Sequence, residues 1–200
     1  MTPAPAPVPS SSTVRRGCGD AGPAVRQHWG TPVGFAAIDP VGLVSPSAAG
    51  IGAEGPALQH VPAAEILTDP EAVAARFRAS FDALAAAHDP DLTPAVDAVA
   101  VEVQIWRHGY QRPATGHPSD LVAWWVLDAT PTHTDAGAVA FADPRTGSPL
   151  TPVPGRPWGR HLVIRPTPGA HVAVPGWLTS SVMPVERGQY VLVAIASTVR

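Results

Sequence analysis

Short stretches of alternating apolar and polar residues fill the chain after residue 95, and this alternation limits the possible folds more than any other feature. In the stretch 99–106, for example, Val99, Val101 and Val103 are separated by single residues of other types. A period of two is typical of a β-strand with one buried face. Further predicted strands, separated by Pro, Gly and Asp, lie at 31–38, 137–141, 161–165, 171–174 and 190–195, and residues 121–127 form an unbroken apolar run that fits a strand buried on both faces. About seven short strands of this kind predict a sandwich, jelly roll or barrel rather than a βαβ fold.

One amphipathic helix is predicted between the strand at 31–38 and the strands after residue 95. Thr68 and Glu71 have the spacing of a capping box, and Pro70 suits a first helical turn. Four large apolar residues then recur at helical spacing: Val73, Phe77, Phe81 and Leu84. The helix is therefore expected to pack one face against the sheet, whereas residues 41–63, rich in Gly, Pro, Ser and Ala, are predicted to be a loop.

The amino-terminal residues 1–27 are predicted to be a disordered tail, and residues 28–200 a single domain. Pro alternates with small residues at the start of the chain, a pattern typical of extended, solvated polypeptide. No positively charged segment followed by an apolar one is present there, so no signal peptide is expected. Cys18 is the single cysteine, which excludes a disulfide within the chain, and a cytoplasmic location is expected.

The charge composition limits the partners of the chain. The net charge is −3, and no basic run marks a nucleic-acid surface. The sequence contains no run of 18 apolar residues, so no membrane-spanning helix is expected. All 13 basic residues are Arg, and the sequence contains neither Lys nor Asn. Both amino acids use A-rich codons, so we expect a GC-rich bacterial source. The expected partner is a small molecule, and a homodimer is left open.

Five segments resemble the bacterial and phage 2-oxoglutarate/Fe(II) oxygenases. Residues 29–33 are similar to the opening strand of that family, and Trp106 together with residues 117–125 to the segment that carries its first metal ligand. Residues 137–145 are similar to the G-x-L-x-F-x-D-P-R hairpin of that family, and residues 168–178 to its P-G-x-L-V-L-F-P-S-W-L strand. Residues 182–196 resemble its final strand. The resemblance spans roughly residues 28–196, and it implies a double-stranded β-helix, a jelly-roll barrel like that of the cupins.

The resemblance also implies a cofactor set. Enzymes of this family hold Fe(II) with three side chains, usually two His and a carboxylate, and leave open positions for 2-oxoglutarate and O₂. Here His117 and Asp120 would be two metal ligands and His171 the third. Ser180 occupies the position at which the family has its distal His, and Tyr190 the position of the Arg that binds the distal carboxylate of 2-oxoglutarate. Tyr190 or the nearby Arg187 would then take that role. The metal and cosubstrate motifs are therefore degenerate.

Three functions stay open at this point. The first is an oxygenase-like enzyme that uses Fe(II) and 2-oxoglutarate to hydroxylate or desaturate a small molecule. The second is a pseudo-oxygenase that binds a small molecule without a metal, which the replacements Ser180 and Tyr190 favour. The third is metal-independent acid–base catalysis by His117 together with Tyr190 or His171. Each His also has a simpler interpretation, a loop residue for His117 and a buried core residue for His171.

Overall fold

The computed structural model describes residues 22–48, 51–52, 54–88, 98–145 and 161–199. Within them lie eleven strands: β1 (Ala24–His28), β2 (Thr31–Ala37), β3 (Leu58–Val61), β4 (Ala98–Arg107), β5 (Arg112–Thr115), β6 (Leu121–Ala129), β7 (Val139–Phe141), β8 (Leu162–Ile164), β9 (Ala170–Pro175), β10 (Ser180–Val182) and β11 (Tyr190–Val199). The described helices are a 3-10 turn (Pro46–Ala48), α1 (Ala63–Ile66) and α2 (Pro70–His88).

The strands form two antiparallel sheets. The larger sheet has the order β1-β2-β9-β6-β11-β4-β3, and the smaller one the order β5-β10-β7-β8. The predicted mainly β, jelly-roll architecture with one flanking amphipathic helix is confirmed. None of the helices in the described part of the chain is both long and apolar enough to span a bilayer.

Alternation along β6 shows how the two layers of core are built. Trp124 and Val126 face the smaller sheet, where they join the apolar filling of the barrel. Trp125 and Leu127 face the other way and pack with the apolar face of α2, including Phe77. Successive side chains of a strand point to opposite faces, so the uninterrupted apolar run in this strand serves two cores.

The first strand begins inside the segment that was predicted to be a tail. β1 starts at Ala24 and pairs with β2 through a tight turn, whereas residues 1–21 lie outside the described residues. Both turn residues, Trp29 and Gly30, have positive φ values, 57° and 81°. Such two-residue turns usually carry Asn-Gly or Asp-Gly. Because Trp-Gly gives no such signal, the sequence did not reveal the hairpin.

The predicted loop 41–63 contains regular structure, which corrects that prediction. β3 forms the edge of the larger sheet, where it pairs with β4, and α1 follows directly. Arg107 of β4 is 5% exposed and donates hydrogen bonds to three carbonyl oxygens of the segment, those of Ile51, Gly52 and Pro56, at 2.7–3.1 Å. The contact joins residues more than 50 positions apart, so local pattern could not predict it.

The amino-terminal cap of α2 also differs from the prediction. Asp69, not Thr68, accepts the hydrogen bond from the backbone N–H of Ala72, with Oδ1 at 2.9 Å. The Thr68 hydroxyl instead donates to the Gly42 carbonyl at 2.8 Å. Asp69 is thus the capping residue, and Thr68 anchors the preceding loop.

We expect Asp69→Ala to lower the free energy of unfolding by about 1 kcal/mol, the usual effect of losing an N-cap side chain. Urea unfolding followed by circular dichroism measures this value. Glu71→Gln is the control, because the capping box that it would belong to does not form, and it should change the stability by less than half as much. A larger effect of Glu71→Gln than of Asp69→Ala would contradict this assignment of the cap.

Candidate functional site

Polar side chains gather at one end of the barrel interior, between the two sheets. They come from β4, β5, β6, β10 and the loops around β5. We call this group the Arg112 cluster; its members are Glu102, Tyr110, Arg112, His117, Trp124 and Ser180. The set is noteworthy because most other residues between the sheets are apolar.

Arg112 lies at the centre of the cluster. Its Nη2 donates to the Ser180 hydroxyl at 2.8 Å, and its guanidinium carbon lies 5.6 Å from the centre of the Trp124 ring. The two strands that carry Arg112 and Ser180 are paired, with a register shift between Ser180 and Val182. Burial lowers the pKa of Arg112, while Tyr110 and Glu102 act in the opposite direction. The guanidinium stays charged at any physiological pH.

Two N–H donors in this cluster are buried without a hydrogen-bond partner, Arg112 Nε and Trp124 Nε1. Trp124 itself is 2% exposed. Arg107 provides a comparison, because its Nε and both terminal nitrogens reach carbonyl oxygens. Within the described residues Arg112 also forms no ion pair with a carboxylate. Buried polar groups are nearly always hydrogen-bonded, so this part of the barrel lacks an acceptor.

His117, a member of the cluster, lies in the loop after β5. Its backbone N–H donates to the Gly176 carbonyl at 2.7 Å, and its Nδ1 accepts the N–H of Ser119 at 3.2 Å. Nδ1 is therefore unprotonated, and the neutral ring carries its proton on Nε2. Burial lowers the pKa of His117, and the Arg112 cation lowers it further. The negative charge of Glu102 partly offsets these two effects. The ring is neutral at pH 7 and can donate through Nε2.

Close packing holds the His117 loop in place. A Cβ atom at Gly176 would collide with the Ser119 carbonyl oxygen and lie 3.0 Å from that of His117. Gly176 also donates its own N–H to the Asp120 carbonyl at 2.7 Å. Only glycine permits this approach of the β9–β10 turn, which fixes the backbone at residues 117–120. The Asp120 side chain is exposed.

His171, the predicted third metal ligand, lies on the other face of the larger sheet. Its Nε2 is 2.9 Å from the Ser80 hydroxyl of α2, and its ring centre is 5.3 Å from that of Phe77. The residue is 2% exposed, and burial lowers its pKa to about 4. The sheet therefore separates His171 from the Arg112 cluster and from His117.

Tyr190 also faces away from the barrel interior. Its hydroxyl donates to Asp128 at 2.6 Å, and burial together with this carboxylate raises its pKa to about 12. Its ring lies against Gly52, in an open pocket of ≈ 330 Å³ that Arg107 also lines. Arg187 is exposed in the turn before β11. The structure therefore does not bring Tyr190 or Arg187 next to His117.

The side chains in the barrel do not fit Fe(II). No three His, Cys, Asp or Glu side chains of the described residues form a group that could hold a metal ion. At the position of the family's distal His, the Ser180 hydroxyl accepts a hydrogen bond from a guanidinium. A fixed positive charge at that point repels a divalent cation. The donors that the resemblance implies are thus dispersed over two faces of the sheet.

The central residue of the cluster was not among the predicted site residues. Arg112 is followed by Pro113 in a strand of four residues, which carries no recognisable period. Glu102 and Gln104 gave a usable signal, because polar residues at alternate positions of an otherwise apolar strand indicate a polar lining.

No model of a known protein family and no curated protein matches the chain. Among solved structures, a prolyl-4-hydroxylase from Pseudomonas putida is similar at 14% identity, over 70% of this chain and 68% of that one, with a TM-score of 0.46. The non-haem α-ketoglutarate-dependent epimerase SnoN of nogalamycin biosynthesis is similar at 18% identity, over 72% of this chain and 62% of that one, with a TM-score of 0.42. A salicylate 1,2-dioxygenase from Pseudaminobacter salicylatoxidans is similar at 17% identity, over 50% of this chain and 21% of that one, with a TM-score of 0.31. These likenesses concern the architecture alone, so the function has to follow from the residues of this chain.

Proposed function

We propose that the barrel binds a small carboxylate without a metal, and that Arg112 is the residue that holds it. The observation that carries this proposal is a partly desolvated guanidinium that has no carboxylate partner in the described residues and a buried, unpaired Nε. Removing a charge from water costs several kcal/mol unless a counter-charge or hydrogen bonds offset it. A bound anion would supply both.

The chemistry of the donors favours a carboxylate. The planar guanidinium of Arg matches the two oxygens of a carboxylate, and Trp124 Nε1 can only donate. The neutral His117 adds a donor at Nε2, as the tautomer fixed by Ser119 requires. The surrounding rings of Trp106 and Tyr110, stacked with centres 5.4 Å apart, offer an apolar surface for the body of the ligand.

This proposal takes up the second of the three functions that the sequence left open. Acid–base catalysis by His117 with Tyr190 or His171 would need side chains that the sheet separates. Oxygenase chemistry would need a ligand set that the described side chains do not form. Binding at Arg112 requires neither a metal ligand set nor a residue from the other face of the larger sheet.

Isothermal titration calorimetry with 3-phenylpropanoate, benzoate and 2-oxoglutarate tests the proposal. We expect the purified chain to bind at least one of them with a dissociation constant of about 1 mM or below. Arg112→Met keeps most of the side-chain volume and removes the charge. It should weaken binding about 10- to 100-fold, because a hydrogen bond to a charged group contributes about 1.5–3 kcal/mol.

Arg165→Met is the matched control. Arg165 is exposed and pairs with Asp135 at 2.7 Å, outside the cluster, so its replacement should leave the affinity unchanged. Circular dichroism and thermal unfolding verify that both variants fold. Failure of all three carboxylates to bind, equal affinity of the Arg112→Met variant, or stoichiometric retention of Fe(II) by the purified chain would each contradict the proposal.

A further inference from the structure

Glu102 introduces a negative charge into the same end of the barrel. It lies on β4 in register with Ile195, and Ile195 is in register with Trp124. Glu102 and Trp124 are therefore two strand spacings apart, about 10 Å between backbones, and Arg112 lies over the Trp124 ring. The charge of Glu102 acts on Arg112, Tyr110 and His117 alike.

A ladder of hydrogen bonds holds Glu102 on this inner face. Trp106 Nε1 donates to Gln104 Oε1 at 2.7 Å, and Gln104 Nε2 donates to Glu102 Oε1 at 2.9 Å. The three residues occupy alternate positions of β4 and so share one face. The ladder uses one oxygen of the carboxylate and leaves the other, Oε2, for a further donor.

The existing partner of Oε2 is weak. His60 Nδ1 lies 3.7 Å from it, and the two side chains are 61% and 51% exposed. Exposed pairs at such distances contribute little to stability. Glu102 also forms no ion pair with Arg112, although the two are close enough to interact electrostatically. The cluster therefore presents a positive and a negative group that stay apart.

Two opposite charges that do not meet constrain the ligand. A simple carboxylate on Arg112 would be repelled by Glu102. A molecule that carries a carboxylate and an ammonium group would satisfy both residues, with the ammonium also near the partly exposed ring of Tyr110, since aromatic faces attract cations. The cluster is thus complementary to a zwitterion rather than to an anion alone.

We infer that the ligand is a small amino carboxylate, whose carboxylate binds Arg112 and whose ammonium group binds Glu102 beside the Trp106–Tyr110 pair. The inference rests on the proposed function, since it requires the carboxylate to bind Arg112. It assigns to Glu102 the selection of amine-bearing ligands.

Calorimetric titration with two matched sets of compounds tests the inference. Phenylalanine is compared with 3-phenylpropanoate and 2-phenylethylamine, which lack the ammonium and the carboxylate group respectively. A longer zwitterion, 4-(aminomethyl)benzoate, is compared with 4-methylbenzoate and 4-methylbenzylamine. We expect at least one zwitterion to bind about tenfold tighter than its amine-free counterpart, as one added charged contact gives.

Glu102→Gln distinguishes a charge effect from a change of shape. The amide can still accept the hydrogen bond from Gln104, but it carries no charge. The variant should bind the zwitterion about tenfold more weakly and the amine-free carboxylate as tightly as the wild type or more tightly. A structural defect would weaken both. Glu65→Gln, in α1 on the far side of the larger sheet, is the control and should change neither affinity.

The outcomes separate this inference from the proposed function. If 3-phenylpropanoate or 4-methylbenzoate binds through Arg112 and neither zwitterion binds tighter, the inference is wrong and carboxylate binding stands. If Glu102→Gln weakens both kinds of ligand equally, the selective role of Glu102 is wrong as well. If no compound of either set binds, both proposals fail.

Discussion

At pH 7 the Trp125→Ala variant is expected to lose about 3–5 kcal/mol of its free energy of unfolding, the usual range for a fully buried Trp. Trp125 is 1% exposed and lies with its ring centre 6.4 Å from that of Phe77, where α2 packs on the larger sheet. Its Nε1 donates to the Ile38 carbonyl at 3.1 Å. The substitution leaves a cavity and an unpaired carbonyl between helix and sheet. Domains of this kind have a total free energy of unfolding of about 5–15 kcal/mol, so the substitution would remove a large fraction of it.

Urea unfolding followed by fluorescence and circular dichroism measures the loss. Trp177→Ala is the matched control, because that indole is 55% exposed and its removal should change stability by less than about 0.5 kcal/mol. Trp125→Phe fills part of the space and should fall between the two. Equal stabilities of the Trp125→Ala and Trp177→Ala variants would show that the helix–sheet core is not where the structure places it.

Acidification is expected to destabilise the protein through His171. Its pKa is lowered to about 4 in the folded state by burial, against about 6.5 in the unfolded chain. Above pH 6.5 neither state binds the proton, so His171 contributes no pH dependence. Between pH 6.5 and about 4 only the unfolded state is protonated, and stability falls by about 1.4 kcal/mol per pH unit. Below pH 4 the loss levels off at about 3 kcal/mol.

The His171→Leu variant isolates this contribution. The Ser80 hydroxyl keeps an acceptor in that variant, because it also donates to the Arg76 carbonyl at 3.2 Å. The free energy of unfolding is measured at pH 7.0, 5.5 and 4.0 for both proteins. Between pH 7.0 and pH 4.0 that of His171→Leu should fall by about 3 kcal/mol less than that of the wild type. His133→Gln, at an exposed position, should keep the wild-type pH dependence. Parallel curves for the wild type and His171→Leu would refute the role of His171.

The strands and the helix were predictable where the residues repeat with the period of the element. The alternation around Val101 and the helical spacing of Val73, Phe77 and Phe81 act through local geometry, which is the same in any fold. β3 and β5 are four residues each, too short for a period to emerge. They form because a distant strand pairs with each of them, β4 with β3 and β10 with β5, and no local sequence pattern indicates that pairing.

The structure places the predicted site residues on different faces of the larger sheet. His117 and Ser180 both belong to the Arg112 cluster. Tyr190 and His171 were placed by their spacing along strands, but a shift of one residue exchanges the two faces of a sheet. Whether a side chain faces the barrel interior or the helix depends on which elements pack against each face of the sheet. His171 faces α2, where it contacts Ser80 and Phe77.

The sequence by itself determined that the chain folds into short strands with one amphipathic helix, because these features follow from residue spacing within a few turns or pleats. The tertiary structure alone decided the chemistry of the interior. Arg112 and Ser180 are 68 positions apart, and only the pairing of β5 with β10 puts a guanidinium beside the Ser180 hydroxyl. Whether a charge is paired, and whether an N–H finds an acceptor, depends on neighbours that are distant in the chain.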